Sequence, residues 1–514
     1  MTYSVWGLSL TRDGVGVCAL GDDTDRHLVT VPWTRSPSSL CRASGVWAVR
    51  PHDVCEAVAR GLVEMLRQSP PPLALGLCSP DGETSVCLDT RGDTLSDIFF
   101  DPLLIVPRHE VPALYQDAPE LLSSYRRSFL HQMRQTRPEF WLGMRPGISS
   151  IGGYVADRLT AHHVDCAMPR DLPMPCDARA WEALGYDANA SVRRARCGHA
   201  FARMSPNVAE RLRAHLETPP EFDMSPLGIL AGISVFGMGS TDSARAYATA
   251  ADPLSWSVEV GYGMRAHWTS GTHALAAYEI EIVEHGAQPA EDKASPDSSP
   301  QTWTRDDWTR AIAEVHGDLE VRPGPRAQLL GYGFCTESAH LRCIDEAIRE
   351  LGLENGRLPY EAIRRAPLGS GGLHVMTDPH GVRMVGMQPA HGAPHLVRAL
   401  FESHLYAVRA RREMQGVTCL QDAVQNAPIR LVLSPPWPEE CAQWASDILN
   451  TQVMSIDTGL TPVACISAFG CALALARELD VPLGNAPTLS AVIYEPGARA
   501  PLYTAHYKTH QAIF

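Results

Sequence analysis

The sequence predicts an α/β protein with more than one domain. The chain has 514 residues, a length at which single hydrophobic cores usually give way to several domains. Two short apolar runs, residues 4–10 and 15–20, flank a turn that contains Asp13 and Gly14, which is typical of a β-hairpin. Residues 52–68 show helical apolar spacing, and 73–78 form an apolar run. Hairpin, crossover helix and buried strand in this order indicate layered sheets and helices.

The rest of the chain continues the mixture of strands and helices. Residues 107–215 are predicted to be mainly helical, with a buried strand over 228–236 and further strands over 253–284. Residues 287–302 are polar and contain three prolines, so we expect a flexible surface insertion, with a domain linker as the alternative. The C-terminal part is predicted to hold a strand at 429–433 and helices over 394–412, 438–449 and 461–478.

Charge and composition exclude several classes of protein. The formal net charge of -14 repels nucleic acid and anionic membrane surfaces, so neither is an expected partner. No uninterrupted apolar run reaches the length of a membrane span. Acidic residues within the first 30 positions argue against a secretory leader, and we expect a cytoplasmic protein. The fourteen cysteines include no CxxC pair, so neither a cysteine zinc site nor a disulfide framework is expected.

Several segments resemble one family of enzymes. The best stretch begins with APLGSGGLHV at Ala366 and runs through the helix around HLVRALFESHL, and RLVLSPPWPEECAQWASDIL and CISAFGCALALA follow it. Further upstream, LGLCSPDGETSVCLDTRGDTL is similar to a substrate-binding strand pair of glycerol kinases. Together these segments resemble the FGGY carbohydrate kinases, the family of xylulose, glycerol and gluconate kinases.

The resemblance implies a fold and an activity. The fold would be two actin-like (ribonuclease H-like) ATPase domains that flank a central cleft, with residues 1–248 on the substrate side and 249–514 on the nucleotide side. The activity would be transfer of the γ-phosphoryl group of ATP, with Mg²⁺, to a hydroxyl of a sugar, a polyol or a related small metabolite. The sequence favours an enzyme, does not name the substrate, and leaves a homodimer open.

Asp242 is the candidate catalytic base. It stands in Gly239-Ser240-Thr241-Asp242, after an apolar strand, where it looks like the base of the family's Gly-Asp motif. A carboxylate beside the acceptor hydroxyl can take its proton during phosphoryl transfer. The alternative is an aspartate that only caps the following helix, and one residue can do both.

Four residues are candidates for binding the substrate. Glu83 falls where glycerol kinases place an Arg-Glu pair on the polyol, although Gly82 here replaces the arginine, and Thr84 directly follows Glu83. Asp101 follows Ile98-Phe99-Phe100 and resembles the family's Trp-Asn/Asp element, and Asp165 resembles an acid that follows a helix end. The alternative for each acid is a solvated or capping position on the surface.

The nucleotide-binding motifs depart from the family pattern. The first, Asp-x-Gly-Thr, whose aspartate serves the metal, is here Ser9-Leu10-Thr11-Arg12, which leaves Thr11 as the phosphate-binding candidate. The second resembles Gly261-Tyr262-Gly263, and a rival register places Thr269-Ser270-Gly271 there. The third, a glycine turn under the nucleotide, is Leu433-Ser434-Pro435-Pro436, and proline offers no N–H.

These departures keep two other hypotheses open. The chain could be a catalytically degenerate relative that binds a small molecule or a partner chain, or it could use the same cleft for chemistry other than phosphoryl transfer. His391 and His395, four residues apart and near Glu402, form a conceivable metal pair, but we favour surface histidines.

Overall fold

A computed structural model of the chain describes a defined part of it. The described residues are 4–11, 14–21, 26–34, 36–37, 47–80, 84–89, 93–100, 147–162, 164–165, 193–194, 198–241, 244, 248, 255–260, 264–269, 320–323, 329–336, 360–378, 381–415, 429–433, 438–457, 463–483 and 490–513. They fall into two compact units. Unit 1 comprises Met1–Ala248 and Leu460–Thr488, and unit 2 comprises Thr249–Gly459 and Leu489–Phe514.

Unit 1 is built on a six-stranded mixed sheet and a five-stranded antiparallel sheet. Its strands are β1 Ser4–Leu10, β2 Gly14–Gly21, β3 His27–Pro32, β4 Ser36–Pro37, β5 Trp47–Val49, β6 Ala74–Ser79, β7 Thr84–Leu88, β8 Ile98–Phe100, β9 Gly147–Ser149, β10 Val164–Asp165, β11 Arg193–Arg194, β12 His199–Arg203 and β13 Ser234–Ser240. The larger sheet has the order β12-β13-β6-β1-β2-β3, and the smaller one has the order β4-β5-β8-β7-β9. β6 is parallel to both β1 and β13, whereas β1 and β2 form the antiparallel hairpin.

Helices cover this sheet. They are α1 Pro51–Gln68, α2 Ile151–Thr160, α3 Val208–Arg213 and, from the second segment of unit 1, α6 Val463–Glu478. α1 buries Val54, Val58, Leu62 and Met65, the stripe that its helical spacing predicts. Leu8, Leu77 and Tyr154 are fully buried in the same core.

The contact between β1 and α6 depends on small residues. A side chain on Gly7 would overlap the carbonyl oxygen of Ala468 and the amide of Ala472. On the neighbouring strand, a side chain on Gly76 would meet the Cys471 sulfur at 3.0 Å. The glycines on the sheet and the small residues along α6 therefore allow the helix and the sheet to approach closely.

The described residues of unit 2 form a seven-stranded mixed sheet, a two-stranded hairpin and three α-helices. The strands are β14 Ser255–Val260, β15 Met264–Thr269, β16 Glu320–Pro323, β17 Leu329–Thr336, β18 His374–Asp378, β19 Gly381–Val385, β20 Ile429–Leu433, β21 Val453–Asp457 and β22 Ser490–Tyr494. The large sheet has the order β16-β17-β15-β14-β20-β21-β22, and β18 pairs with β19. The helices are α4 Ala393–Gln415, α5 Cys441–Leu449 and α7 Ala500–Ile513, with α4 at the centre of the core.

Most predicted elements are present, and two predictions need correction. Residues 107–215 are not mainly helical where the structure describes them, because 199–203 form β12 at the sheet edge. The apolar run 228–236 is not one strand, since Ser225–Leu230 form a 3₁₀ helix with Pro226 in its first turn, and β13 starts only at Ser234. The 287–302 insertion lies outside the described residues. Within the described part of the chain, none of the helices has the length and apolar character needed to span a bilayer.

Candidate functional site

The candidate site in unit 1 is the edge of the large sheet where three parallel strands end. β1, β6 and β13 run in the same direction and end at Leu10, Ser79 and Ser240, and Ser79 lies opposite Ser240 in the register. Ligands of α/β proteins bind outside the carboxyl ends of such strands. This edge is therefore the first place to look for a binding site.

The described side chains at this edge are hydroxyls. Seven buried serine and threonine residues lie at or beside the strand ends, namely Ser9, Thr11, Ser79, Thr84, Ser149, Ser150 and Thr241. Within the part of the chain that the structure describes, the hydroxyl oxygens of Ser9, Ser79 and Ser149 have no hydrogen-bond partner. Buried hydroxyls without a partner are uncommon in folded proteins, so their grouping distinguishes this edge from the rest of unit 1.

The first turn of α2 is held against the end of β6. Ser150 caps the helix, and its hydroxyl accepts a hydrogen bond from the Gly153 amide at 3.0 Å. The Thr84 hydroxyl accepts one from the Ile151 amide at 3.1 Å. A side chain on Gly152 would overlap the Ser79 hydroxyl, so only glycine lets the helix reach this position. Thr84, a predicted substrate residue, thus supports the start of α2.

Thr11 lies in the turn of the β1–β2 hairpin. Its amide and its hydroxyl both donate to the carbonyl oxygen of Gly14, each at 2.9 Å. The residue is buried, and both groups close the turn. Its role as a phosphate-binding residue stays a prediction.

Several predicted site residues lie outside the described residues: Asp242, Glu83, Asp101, Gly261, Tyr262 and Gly263, together with Ser270 and Gly271 of the rival register. Asp165 lies in β10, where its backbone pairs with Arg194 of β11.

Thr241 and Ala244, on either side of position 242, are buried and helical. Gly470 of α6 packs so closely on the Ala244 carbonyl oxygen that a side chain there would overlap it.

The magnesium ion that the sequence resemblance implies does not fit the described side chains of this edge. Mg²⁺ is bound through carboxylates and retained water, whereas the described residues here supply only neutral hydroxyls. The Ser9 hydroxyl, at the position of the family's metal-serving aspartate, is fully buried. Among the described residues, no cluster of three or more metal-ligating side chains exists.

Unit 2 contains a second polar cluster around the turn Leu368–Gly372. Gly369, Ser370 and Gly371 have φ values of 70°, 53° and 65°, in the left-handed region. The Glu402 carboxylate on α4 accepts hydrogen bonds from the Gly369 amide and the Ser370 hydroxyl, each at 3.1 Å. Gly369 and Gly371 adopt this conformation readily, whereas Ser370 does not, and the buried carboxylate holds the turn at Gly369 and Ser370.

Arg398 pairs with this carboxylate from one turn away on α4. Its Nε donates to Glu402 at 2.7 Å, and a second guanidinium nitrogen donates to the Tyr503 hydroxyl on α7. The guanidinium also lies 3.8 Å from the centre of the Trp444 ring, a cation–π contact. Burial raises the pKa of Glu402, and Arg398 and the hydrogen bonds from the turn oppose that rise.

His391 contacts the turn, and the Nδ1 atoms of both His391 and His395 accept hydrogen bonds from nearby backbone amides. His391 is buried; its Nδ1 accepts from the Gln388 amide at 3.1 Å, and its Nε2 lies 3.2 Å from the Gly371 carbonyl oxygen. His395 Nδ1 accepts from the Gly392 amide at 3.2 Å. The preferred sequence interpretation, surface histidines, is wrong for His391, because this residue is buried. Three of the four ring nitrogens of the two histidines contact backbone atoms.

A histidine pair that sequence reasoning missed joins α7 to β18. His510 and His374 lie with their Nδ1 atoms 3.4 Å apart, and both residues are buried. Burial lowers the pKa of both, that of His510 to about 4. The two residues are 136 positions apart, so no local spacing could have indicated the pair.

Comparison with known proteins places this architecture. Neither a protein-family profile nor a curated protein sequence matches the chain. Solved structures do match over its whole length. A gluconate kinase from Lactobacillus acidophilus has 12% identity, a TM-score of 0.62 and coverage of 100% of this chain and 98% of that one. A xylulose kinase from Rhodospirillum rubrum has 15% identity with the same TM-score and coverage. The chain has the fold of the FGGY carbohydrate kinases.

A third FGGY-type structure extends the comparison to another substrate class. A glycerol kinase from Plasmodium falciparum, solved with ADP, has 11% identity, a TM-score of 0.60 and coverage of 100% of this chain and 98% of that one. The predicted α/β fold class, that of the two-domain FGGY kinases, is therefore confirmed. At these identities the similarity establishes the fold, and function has to be argued from the site.

Proposed function

We propose that this chain is a divergent FGGY-type carbohydrate kinase that transfers the γ-phosphoryl group of ATP to a hydroxyl of a sugar, a polyol or a related small metabolite. The observation that carries the proposal is the match, over the full length of both chains, to gluconate, xylulose and glycerol kinases. The buried hydroxyls at the carboxyl edge of the unit 1 sheet support a polar ligand there. Serine and threonine hydroxyls both donate and accept, as sugar hydroxyls do.

In this proposal Asp242 is the general base, and it takes the proton of the acceptor hydroxyl as the new bond to phosphorus forms. In the sequence it directly follows Thr241, which comes after the last residue of β13, Ser240, and Ser240 lies opposite Ser79 in the sheet. Glu83, Thr84, Asp101 and Asp165 stay proposed substrate residues, and Gly261, Tyr262 and Gly263 stay proposed nucleotide residues together with Thr11. The substrate would lie with the N-terminal part, residues 1–248, and the nucleotide with residues 249–514. A homodimer and a cytoplasmic location also stay predictions.

A second function is favoured by one observation. Ser9 stands at the end of β1 with a buried, unpartnered hydroxyl, where the family pattern has an acid. A chain without this acid can have the same fold and the same buried hydroxyls at the carboxyl edge of the unit 1 sheet. Such a chain can bind a hydroxylated metabolite without transferring phosphate. That alternative is a small-molecule-binding relative.

The test separates the two functions. The full chain is incubated with radiolabelled ATP, Mg²⁺ and a panel of sugars, sugar acids and polyols, and thermal shift is recorded with each compound alone. The kinase proposal predicts a phosphorylated product that Asp242→Asn abolishes and that Asp223→Asn, at an exposed acid, leaves unchanged. A thermal shift with a metabolite but no product with any panel member would favour the binding protein.

A further inference from the structure

Ser9 lies on the face of the large unit 1 sheet that α6 covers. In the parallel pairing of β1 with β6, Ser9 lies opposite Cys78, so both side chains point to the same face. The Cys78 sulfur lies 3.9 Å from the Ser467 carbonyl oxygen on α6. Gly7, two residues before Ser9 and on the same face, contacts Ala468 and Ala472. The Ser9 hydroxyl therefore points toward α6.

The surroundings of the Ser9 hydroxyl are closed to solvent, and the described side chains there offer few atoms that could bind a cation. Ser9 is 0% exposed, and its hydroxyl oxygen has no hydrogen-bond partner among the described residues. Its neighbour Cys78 is also fully buried. Mg²⁺ loses its hydration shell reluctantly and keeps several waters when a protein binds it. A single neutral hydroxyl in a fully buried position offers neither the charge nor the space for such an ion.

We infer that the described residues at the carboxyl end of β1 hold no divalent cation, so that any ligand taken up at this edge is bound without a metal ion on Ser9. The inference rests on the proposed function, because it concerns the cation that phosphoryl transfer would use. It departs from the sequence resemblance, which assigns a metal-serving residue to position 9. The side-chain chemistry and the burial of Ser9 carry it.

The test is a titration of the full-length protein with Mn²⁺, a paramagnetic substitute for Mg²⁺, followed by electron paramagnetic resonance with and without ADP. Wild type is compared with Ser9→Ala and with the near-isosteric Ser9→Cys. Removing a buried hydroxyl that has no partner among the described residues breaks no hydrogen bond seen there, so the alanine variant is expected to fold. Ser79→Ala, which removes an unpartnered hydroxyl from the neighbouring strand, is the matched control.

The inference predicts that wild type and both Ser9 variants bind the same number of Mn²⁺ ions with dissociation constants within about two-fold, less than 0.5 kcal/mol. If all three proteins bind Mn²⁺ equally, the bound ion does not lie on Ser9. If none of the three proteins binds Mn²⁺, the inference is supported as well. Loss of one Mn²⁺, or weakening by about ten-fold or more, in the Ser9 variants but not in Ser79→Ala would overturn it. The titration needs no turnover, so it decides the point even if the chain transfers no phosphate.

Discussion

The Nε atom of Arg398 donates to a carboxylate oxygen of Glu402 at 2.7 Å, and each side chain is only 3% exposed. The pair lies one turn apart on α4, and the carboxylate also holds the left-handed turn at Gly369 and Ser370. One buried ion pair thus links the central helix of unit 2 to a turn that is 33 positions away in sequence.

Glu402→Ala is expected to destabilise unit 2 strongly. The substitution leaves the Arg398 guanidinium buried without its counter-charge and frees the turn, a loss of about 3–5 kcal/mol in the free energy of unfolding. Denaturant unfolding followed by tryptophan fluorescence measures it. The matched control is Glu440→Ala, which removes the exposed partner of Arg364 and should leave the midpoint unchanged. Equal effects in the two variants would show that the buried pair is not special.

Gly369→Ala tests the turn itself. The left-handed conformation at φ 70° is unfavourable for alanine, and its methyl group would overlap the His506 ring. We therefore expect the free energy of unfolding to fall by about 2–4 kcal/mol. Gly372 has φ 86° with no atom within 4 Å of an added side chain, so Gly372→Ala should cost only about 1 kcal/mol. Thermal melts of both variants measure the difference. A smaller loss at Gly369 than at Gly372 would contradict this packing.

Gly7→Ala tests the contact between β1 and α6. The added methyl group would overlap two backbone atoms of α6, which cannot move as a flexible side chain can, and we expect a loss of about 3 kcal/mol. Gly61→Ala is the control, because its methyl group would meet only valine methyl groups, the nearest at 3.2 Å. Chemical denaturation compares the two variants. If Gly7→Ala proves neutral, α6 does not pack on β1 as described.

Stability is expected to fall with acid through the His374–His510 pair. The pKa of His510 is lowered to about 4 by burial and by His374, so the unfolded chain, with an ordinary histidine pKa near 6.5, takes up the proton first. The contribution is fully present above about pH 6.5, decreases as the pH falls toward 4, and amounts to at most about 3 kcal/mol.

Urea unfolding between pH 7.5 and 4.5 measures this effect. Wild type should lose more stability over that range than His510→Gln, which cannot titrate at that position. Parallel pH dependence in the two proteins would mean that His510 does not stay neutral in the folded state.

Local pattern predicted much of the fold. The helical spacing of 52–68 and 394–412 led to α1 and α4, and the hairpin around Gly14 was predicted within a residue or two. The prediction of one strand over 228–236 is wrong because apolar composition does not distinguish a buried strand from the 3₁₀ helix Ser225–Leu230.

The polar clusters could be predicted only in part. The resemblance to the FGGY kinases predicts Thr84 as a substrate residue, but the hydrogen bond that its hydroxyl accepts from the Ile151 amide joins positions 67 residues apart. The bonds of Glu402 to the turn and of His510 to His374 likewise connect distant segments. Such contacts depend on the tertiary fold, and neither periodicity nor local spacing in the sequence records them.

The most direct test of the central proposal is ATP-dependent phosphorylation of a sugar, sugar acid or polyol by the purified full-length chain. The account predicts a phosphorylated product with at least one panel compound, and loss of that product in Asp242→Asn while the compound still raises the melting temperature of the variant. No product with any compound, together with no thermal shift at millimolar ATP, would contradict the kinase proposal.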